Sequence, residues 1–251
     1  MPKIVRTIIP RIRRSLRDRG VMVSLCRSVL LPGHLLNEYR TAKALRALSH
    51  QSEFDLNYGV DTDGEYGGWT YLSDLNIASP NWFEGNNYLP IEPERFQRVL
   101  TSIGIPFQGY TFVDFGSGKG RALLLASEFS FNRILGLEFA PELHRIAEKN
   151  IGRYRSVSQK CADIRSLHLD FVHFELPQEP LVLFFFDPSR KQVLQQVLTR
   201  IGQQLPRNPH PLYVAYVAPR PEVERILTSS GFLKETFRSP DLNFVIYQRT
   251  A

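Results

Sequence analysis

From residue 92 to the C-terminus, short apolar runs alternate with stretches whose apolar positions recur at helical spacing. Phe96, Val99, Leu100 and Ile103 follow the i, i+3, i+4, i+7 pattern behind Pro93, which predicts a short helix closed by Gly104. A buried strand is expected over 111–115, then a helix from Gly120 to about Phe129. A second strand over 133–139 leads to a helix that opens at Pro141 and stops at Gly152. Its apolar side is Leu143, Ile146, Ala147 and Ile151. A third strand is expected over 157–162, ending at Asp163. The fourth, 181–186, is wholly apolar and therefore central. After it, Ser189 is expected to cap a helix carrying Val193, Leu194, Val197, Leu198 and Ile201. A fifth strand over 212–217 precedes a short helix after Pro221. Two last strands, 232–238 and 243–249, are joined by a linker too short for a crossover helix, so they must run antiparallel. The pattern implies an α/β fold over 92–251: a doubly wound, seven-stranded, mostly parallel sheet with an antiparallel C-terminal hairpin.

The preceding residues have two textures. Residues 1–50 read as helical pieces, punctuated by Pro10, Gly20 and Pro32-Gly33. In the first piece Ile8, Ile9, Ile12 and Leu16 oppose Arg13, Arg14 and Arg17. Three readings compete for this basic amphipathic extension: a helix on an anionic membrane surface, a segment packed on the domain, or a targeting peptide. Residues 51–91 are irregular and rich in Gly, Asn, Asp and aromatics, a lid-like composition that excludes long regular elements. A surface loop whose aromatics fill the edge of the core fits that segment equally well.

Charge sharpens this division. Residues 1–50 hold 11 lysines and arginines against Asp18 and Glu38, a balance of +9, so the remainder carries −3 of the total +6. The high net charge is therefore no sign of a nucleic-acid-binding core. Cys26 and Cys161 fit neither a disulfide framework nor a metal-binding pair, which points to a reducing, cytoplasmic setting. His168, Asp170, His173 and Glu175 match no metal spacing and read as a solvated loop; no metal is expected.

The chemistry concentrates where the strand over 111–115 meets its helix, in Asp114-Phe115-Gly116-Ser117-Gly118-Lys119-Gly120-Arg121. A phosphate-binding P-loop needs Ser or Thr where Gly120 stands, and the dinucleotide fingerprint needs glycine where Arg121 stands. What remains is D-x-G-x-G-x-G. This turn resembles motif I of the class I S-adenosylmethionine-dependent methyltransferases. The resemblance extends over residues 92–250, because that family also has a seven-stranded sheet with its last strand inserted antiparallel.

In an open parallel sheet the ligand sits beyond the carboxyl ends of the strands. Four expected strands carry an acid there: Asp114, Glu138, Asp163 and Asp187. The resemblance implies S-adenosylmethionine as cofactor and a role for each. Gly116, Ser117, Gly118 and Gly120 would shape the turn around its methionine end, with Asp114 supporting that turn and the cofactor's ammonium. Glu138 would accept hydrogen bonds from the ribose hydroxyls, Phe139 would pack on the adenine, and Asp163 would read the adenine amino group. On the residues alone, Glu138 equally suits a cap on the next helix, and Asp163 a turn. Asp187-Pro188-Ser189-Arg190 stands where amino-group methyltransferases resemble [DN]-P-P-[YF], making Asp187 and Pro188 the catalytic candidates. Ser189 and Arg190 depart from that pattern, and the lost ring disfavours a flipped nucleobase. A nitrogen acceptor in a protein side chain or small molecule is therefore expected, with Tyr88 and Arg190 as its contacts. The rival readings are an NAD-type oxidoreductase and a non-catalytic binding protein that meets the membrane through residues 1–50.

Overall fold

The structure, a computed structural model, describes residues 52–64, 69–79, 81 and 83–250. The basic segment 1–50, with its three readings, lies outside the described residues. Among those described, no helix is long and apolar enough to cross a membrane.

The sheet has the expected seven strands: β1 (Thr111–Phe115), β2 (Arg133–Glu138), β3 (Ile164–His168), β4 (Leu181–Phe186), β5 (Leu212–Val217), β6 (Leu233–Ser239) and β7 (Phe244–Arg249). Their order is β3-β2-β1-β4-β5-β7-β6. The first five pair in parallel, whereas β7 runs antiparallel to both β5 and β6. β4 lies in the middle, and its Leu-Val-Leu-Phe-Phe run is buried on both faces.

Alternation along the strands divides the core in two. Phe112 and Phe184 face α2 (Pro93–Thr101) and α3 (Arg121–Ala126), where the Phe96 ring stands 5.9 Å from Phe112 and 5.3 Å from Phe184. Val113, Phe115, Leu183 and Phe185 face the other way, toward Val193, Val197 and Ile201 of α5 (Lys191–Gln204). Each such side chain contributes about 1.5–3 kcal/mol of burial, so the sheet is a rigid base for whatever stands on its edge. The remaining helices are α1 (Glu53–Tyr58), α4 (Pro141–Arg153) and α6 (Pro221–Thr228).

Two expectations are corrected. Residues 157–162 form no strand: Val157 is fully exposed, Gln159 closes a turn onto Ser156, and β3 begins only at Ile164. Ser189 caps nothing either, because Arg190 is the N-cap of α5 and makes no side-chain capping bond. Among its described residues the irregular 51–91 segment contains one short helix, α1, capped by Ser52, and a single turn of 3₁₀-helix at Leu72–Asp74.

Candidate active site

Above the carboxyl edge of β1, β2 and β4 lies a cleft lined by most of the residues that the sequence singles out. Its floor is the glycine turn. Gly116 and Ser117 both donate to the Leu137 carbonyl of β2 at 3.0 Å, which fixes the turn to the neighbouring strand. Gly116 and Gly118 have φ of 91° and 55°, a region that side chains disfavour. The space around them is equally closed. A Cβ on Gly116 would stand 2.8 Å from Pro188, and one on Gly118 would stand 2.1 Å from the Tyr88 ring. The turn is thus clamped between the loop after β4 and the segment before α2.

Gly120, with φ of 90°, starts α3 and lets it approach α4, where a Cβ would meet Ala147 at 3.2 Å. It supports the turn from behind and does not line the cleft.

Glu138, the last residue of β2, is almost wholly buried. Its Oε2 accepts from Gly118 N–H at 2.8 Å and its Oε1 from Ala140 N–H at 2.7 Å. It therefore holds the start of α4 and the glycine turn together while still lining the cleft. Burial pushes its carboxyl up to about 7, against the downward pull of these N–H donors. Asp114 lies well above the usual carboxylate range, first through burial and then through the nearby charge of Glu138. Two acids sharing a dry cleft are poised for a ligand that brings positive charge or hydrogen-bond donors. Phe139 borders the same cleft from the start of α4.

Asp163 is a correction. It precedes β3, and its carbonyl accepts from Ile134 N–H near the beginning of β2, at the sheet edge opposite the cleft. Its carboxylate pairs there with Arg133 at 3.3 Å and Arg165 at 2.7 Å. The shift of β3 brings Asp170 to the cleft-side end of that strand instead. Asp170 accepts from Ser79 and Asn81, and from Val172 N–H at 3.2 Å, and Phe171 beside it lines the cleft.

Asp187 adopts φ of 41°, left-handed for a residue with a side chain, a strain of about 1–3 kcal/mol that its neighbours must impose. Asn86 Nδ2 donates to its carbonyl at 2.6 Å, and Asn86 N–H to the Pro188 carbonyl at 3.0 Å. Arg190 N–H donates to Glu84 O at 2.8 Å, so residues 84–86 run along this loop as a short antiparallel ladder. Arg220 Nη2 binds Asp187 Oδ1 at 2.9 Å, with Tyr216 Oη at 3.5 Å. Burial raises the Asp187 carboxyl, and Arg220 opposes the rise. The Pro188 carbonyl accepts from Asn86, and its ring stands against Gly116. Tyr88 lies over Gly118, donates its hydroxyl to the Thr62 carbonyl, and has a phenol raised well above its ordinary value by burial. Arg190 does not line this cleft; it stands in a second depression beyond Asn86.

Sequence reasoning missed a clasp on the outer side of the turn. Arg121 is 3% exposed, yet it pairs with Asp63 at 2.6 Å and Asp55 at 3.3 Å and donates to Thr62 and Ser52. Its guanidinium also lies 5.1 Å from the centre of the Phe54 ring. Lys119 pairs with Asp61 at 2.7 Å and donates to the Asp63 carbonyl. Both cations of the glycine motif are thus paired by acids of residues 52–63, although Arg121 also borders the cleft. The acidic Asp61-Thr62-Asp63 beside Asp55 was the available signal. Arg220 and Asn86 offered none, since each acquires its role only through long-range folding.

No family model and no curated protein matches the sequence. Solved structures resemble it at low identity. An RNA methyltransferase from Salinibacter ruber, in complex with S-adenosyl-L-homocysteine, is 15% identical over 64% of this chain and 93% of its own, with a TM-score of 0.45. A magnesium protoporphyrin IX methyltransferase from Synechocystis, with bound S-adenosylmethionine, is 11% identical over 62% and 77%, with a TM-score of 0.41. A S-adenosylmethionine-dependent methyltransferase from Corynebacterium glutamicum is 13% identical over 62% and 86%, with a TM-score of 0.40. Within the chain itself, five parallel strands, a reversed β7 between β5 and β6, and a glycine turn after β1 give it the fold of the class I S-adenosylmethionine-dependent methyltransferases.

Proposed function

We propose that this protein transfers a methyl group from S-adenosylmethionine to an acceptor nitrogen in a protein side chain or small molecule. The observation that carries the reading is a cleft in which two buried carboxyls, Asp114 and Glu138, flank a turn with no room for a Cβ. Such a site suits a cationic nucleoside that lies close against backbone. Glu138 would hold the ribose hydroxyls, Phe139 the adenine face and Asp114 the ammonium, while Asp170 takes the adenine-reading place expected of Asp163. Bound there, the cofactor would supply an electrophilic methyl group on its sulfonium. The protein's own task is orientation and proton handling. Asp187, held by Arg220 through one oxygen, offers the other to an acceptor N–H and aligns the nitrogen lone pair with the cleft.

Calorimetric titration of the full chain with S-adenosylhomocysteine and, separately, with NAD tests this reading. Saturable binding of the first alone, lost in Glu138→Ala, is expected. Binding of NAD alone would make the protein an oxidoreductase. Binding of neither would leave a fold without catalysis.

A further inference from the structure

The depression beyond Asn86 adjoins the cleft and shares only Asn86 with its lining. It is lined by Asn86, Arg190, Lys191, Gln192, Arg220 and Glu222. Three of these are cations and one is an acid, and Glu222 reaches Arg220 Nε only at 4.0 Å. That Nε is enclosed and has no hydrogen-bond acceptor among the described residues. Arg190 and Lys191 have no carboxylate partner among the described residues either, in contrast with Lys119 and Arg121 on the other side of the turn. The depression also receives the N-terminus of α5, a 14-residue helix with no capping side chain and no acid in its first turn. Its opening N–H groups lack intrahelical acceptors and carry the positive end of the helix dipole. Most helix starts attract an acid or a hydroxyl cap. This one is left cationic, and the Ser189 hydroxyl just before it is buried without a partner.

The place of the depression gives that charge a purpose. Asn86 lines both it and the cofactor cleft, and Arg220 spans from it to Asp187 and to the Ser189 carbonyl. A molecule with its nucleophile beside Asp187 would therefore extend its far end toward Arg190 and Lys191. We infer that the methyl acceptor is a small molecule carrying a phosphate or carboxylate, and that this depression anchors it. The inference rests on the methyltransferase reading for the word acceptor, but the anion site stands on its own residues. Arg190 is suited to fork-like contact with either oxyanion, Lys191 adds a point charge, and the helix N–H groups complete the cradle.

The test uses the full chain, saturated with S-adenosylhomocysteine and also without it. Inorganic pyrophosphate, citrate and a short single-stranded oligonucleotide are titrated at fixed ionic strength into wild type, Arg190→Glu and Lys191→Glu. Saturable binding of pyrophosphate or citrate, weakened about tenfold or more in each variant, is expected, with S-adenosylhomocysteine affinity unchanged. The tighter of the two anions tells phosphate from carboxylate. Wild type that binds neither anion, or variants that bind them equally well, would overturn the proposal. So would an oligonucleotide that binds more tightly than both. If the anions bind but S-adenosylhomocysteine does not, the anion site survives and the methyltransferase reading falls.

Discussion

Glu138 controls the cleft by its proton. Its carboxyl titrates at about 7 in the folded protein, against an ordinary 4.5. In the proposed function ribose hydroxyls would donate to the charged form, so binding of S-adenosylhomocysteine would release this proton. Affinity should therefore be flat above pH 7 and weaken by up to about tenfold per pH unit below it, as calorimetry across that window would read. Stability runs the other way. A raised folded value means that the folded chain holds a proton the unfolded chain has lost between pH 4.5 and 7. The contribution is complete below 4.5 and fades as pH rises through 7; Glu138→Gln should remove this group's share of both dependences and leave that of Asp114. The adjacent glycine makes a second prediction. Gly118→Ala forces the Tyr88 ring off the turn and should cost about 1–3 kcal/mol in urea unfolding. The same change should cost less when made in a Tyr88→Ala background, because the clash is with the ring and only the φ strain remains.

Among the elements, the ladder between residues 84–86 and the loop after β4 is what holds Asp187 in its strained backbone state. Asn86→Ala removes the bond to the Asp187 carbonyl. It should cost about 1 kcal/mol in stability and lower turnover far more than cofactor affinity, as single-turnover kinetics would separate. This ladder could not be read from the sequence, because it joins residues about a hundred positions apart and consists largely of main-chain bonds. The strands were legible wherever their two faces are buried, since an unbroken apolar run such as Leu181–Phe186 has no competing reading. β3 was not. It lies at the edge of the sheet, none of its side chains is fully buried, and its pattern is correspondingly mixed. Misplacing it carried Asp163 to the wrong edge and hid Asp170.

At the scale of the whole molecule, residues 52–63 are bound into the domain by charge as well as by Phe54 and Val60 in the core. Arg121 and Lys119 face Asp55, Asp61 and Asp63, with the Arg121–Asp55 pair shut away from water. Removing one partner of such a buried pair costs about 3–5 kcal/mol, whereas an apolar replacement is tolerated once both partners are gone. Arg121→Met should therefore destabilise the full chain but stabilise, or leave unchanged, a chain that starts at residue 65, as the two urea midpoints would report. The glycine turn would lose its outer support in both, so cofactor affinity should fall in all three variants.

The reversed strand has a consequence for how the protein is made. β7 follows β6 in the chain, yet it fills the place between β5 and β6. Until β7 has been made, the nascent sheet has an open seam beside β5, the strand that carries Tyr216 toward Asp187. A chain that stops before Phe244 would lack the strand that joins β6 to the rest, leaving β5 as a bare edge able to pair with other nascent chains.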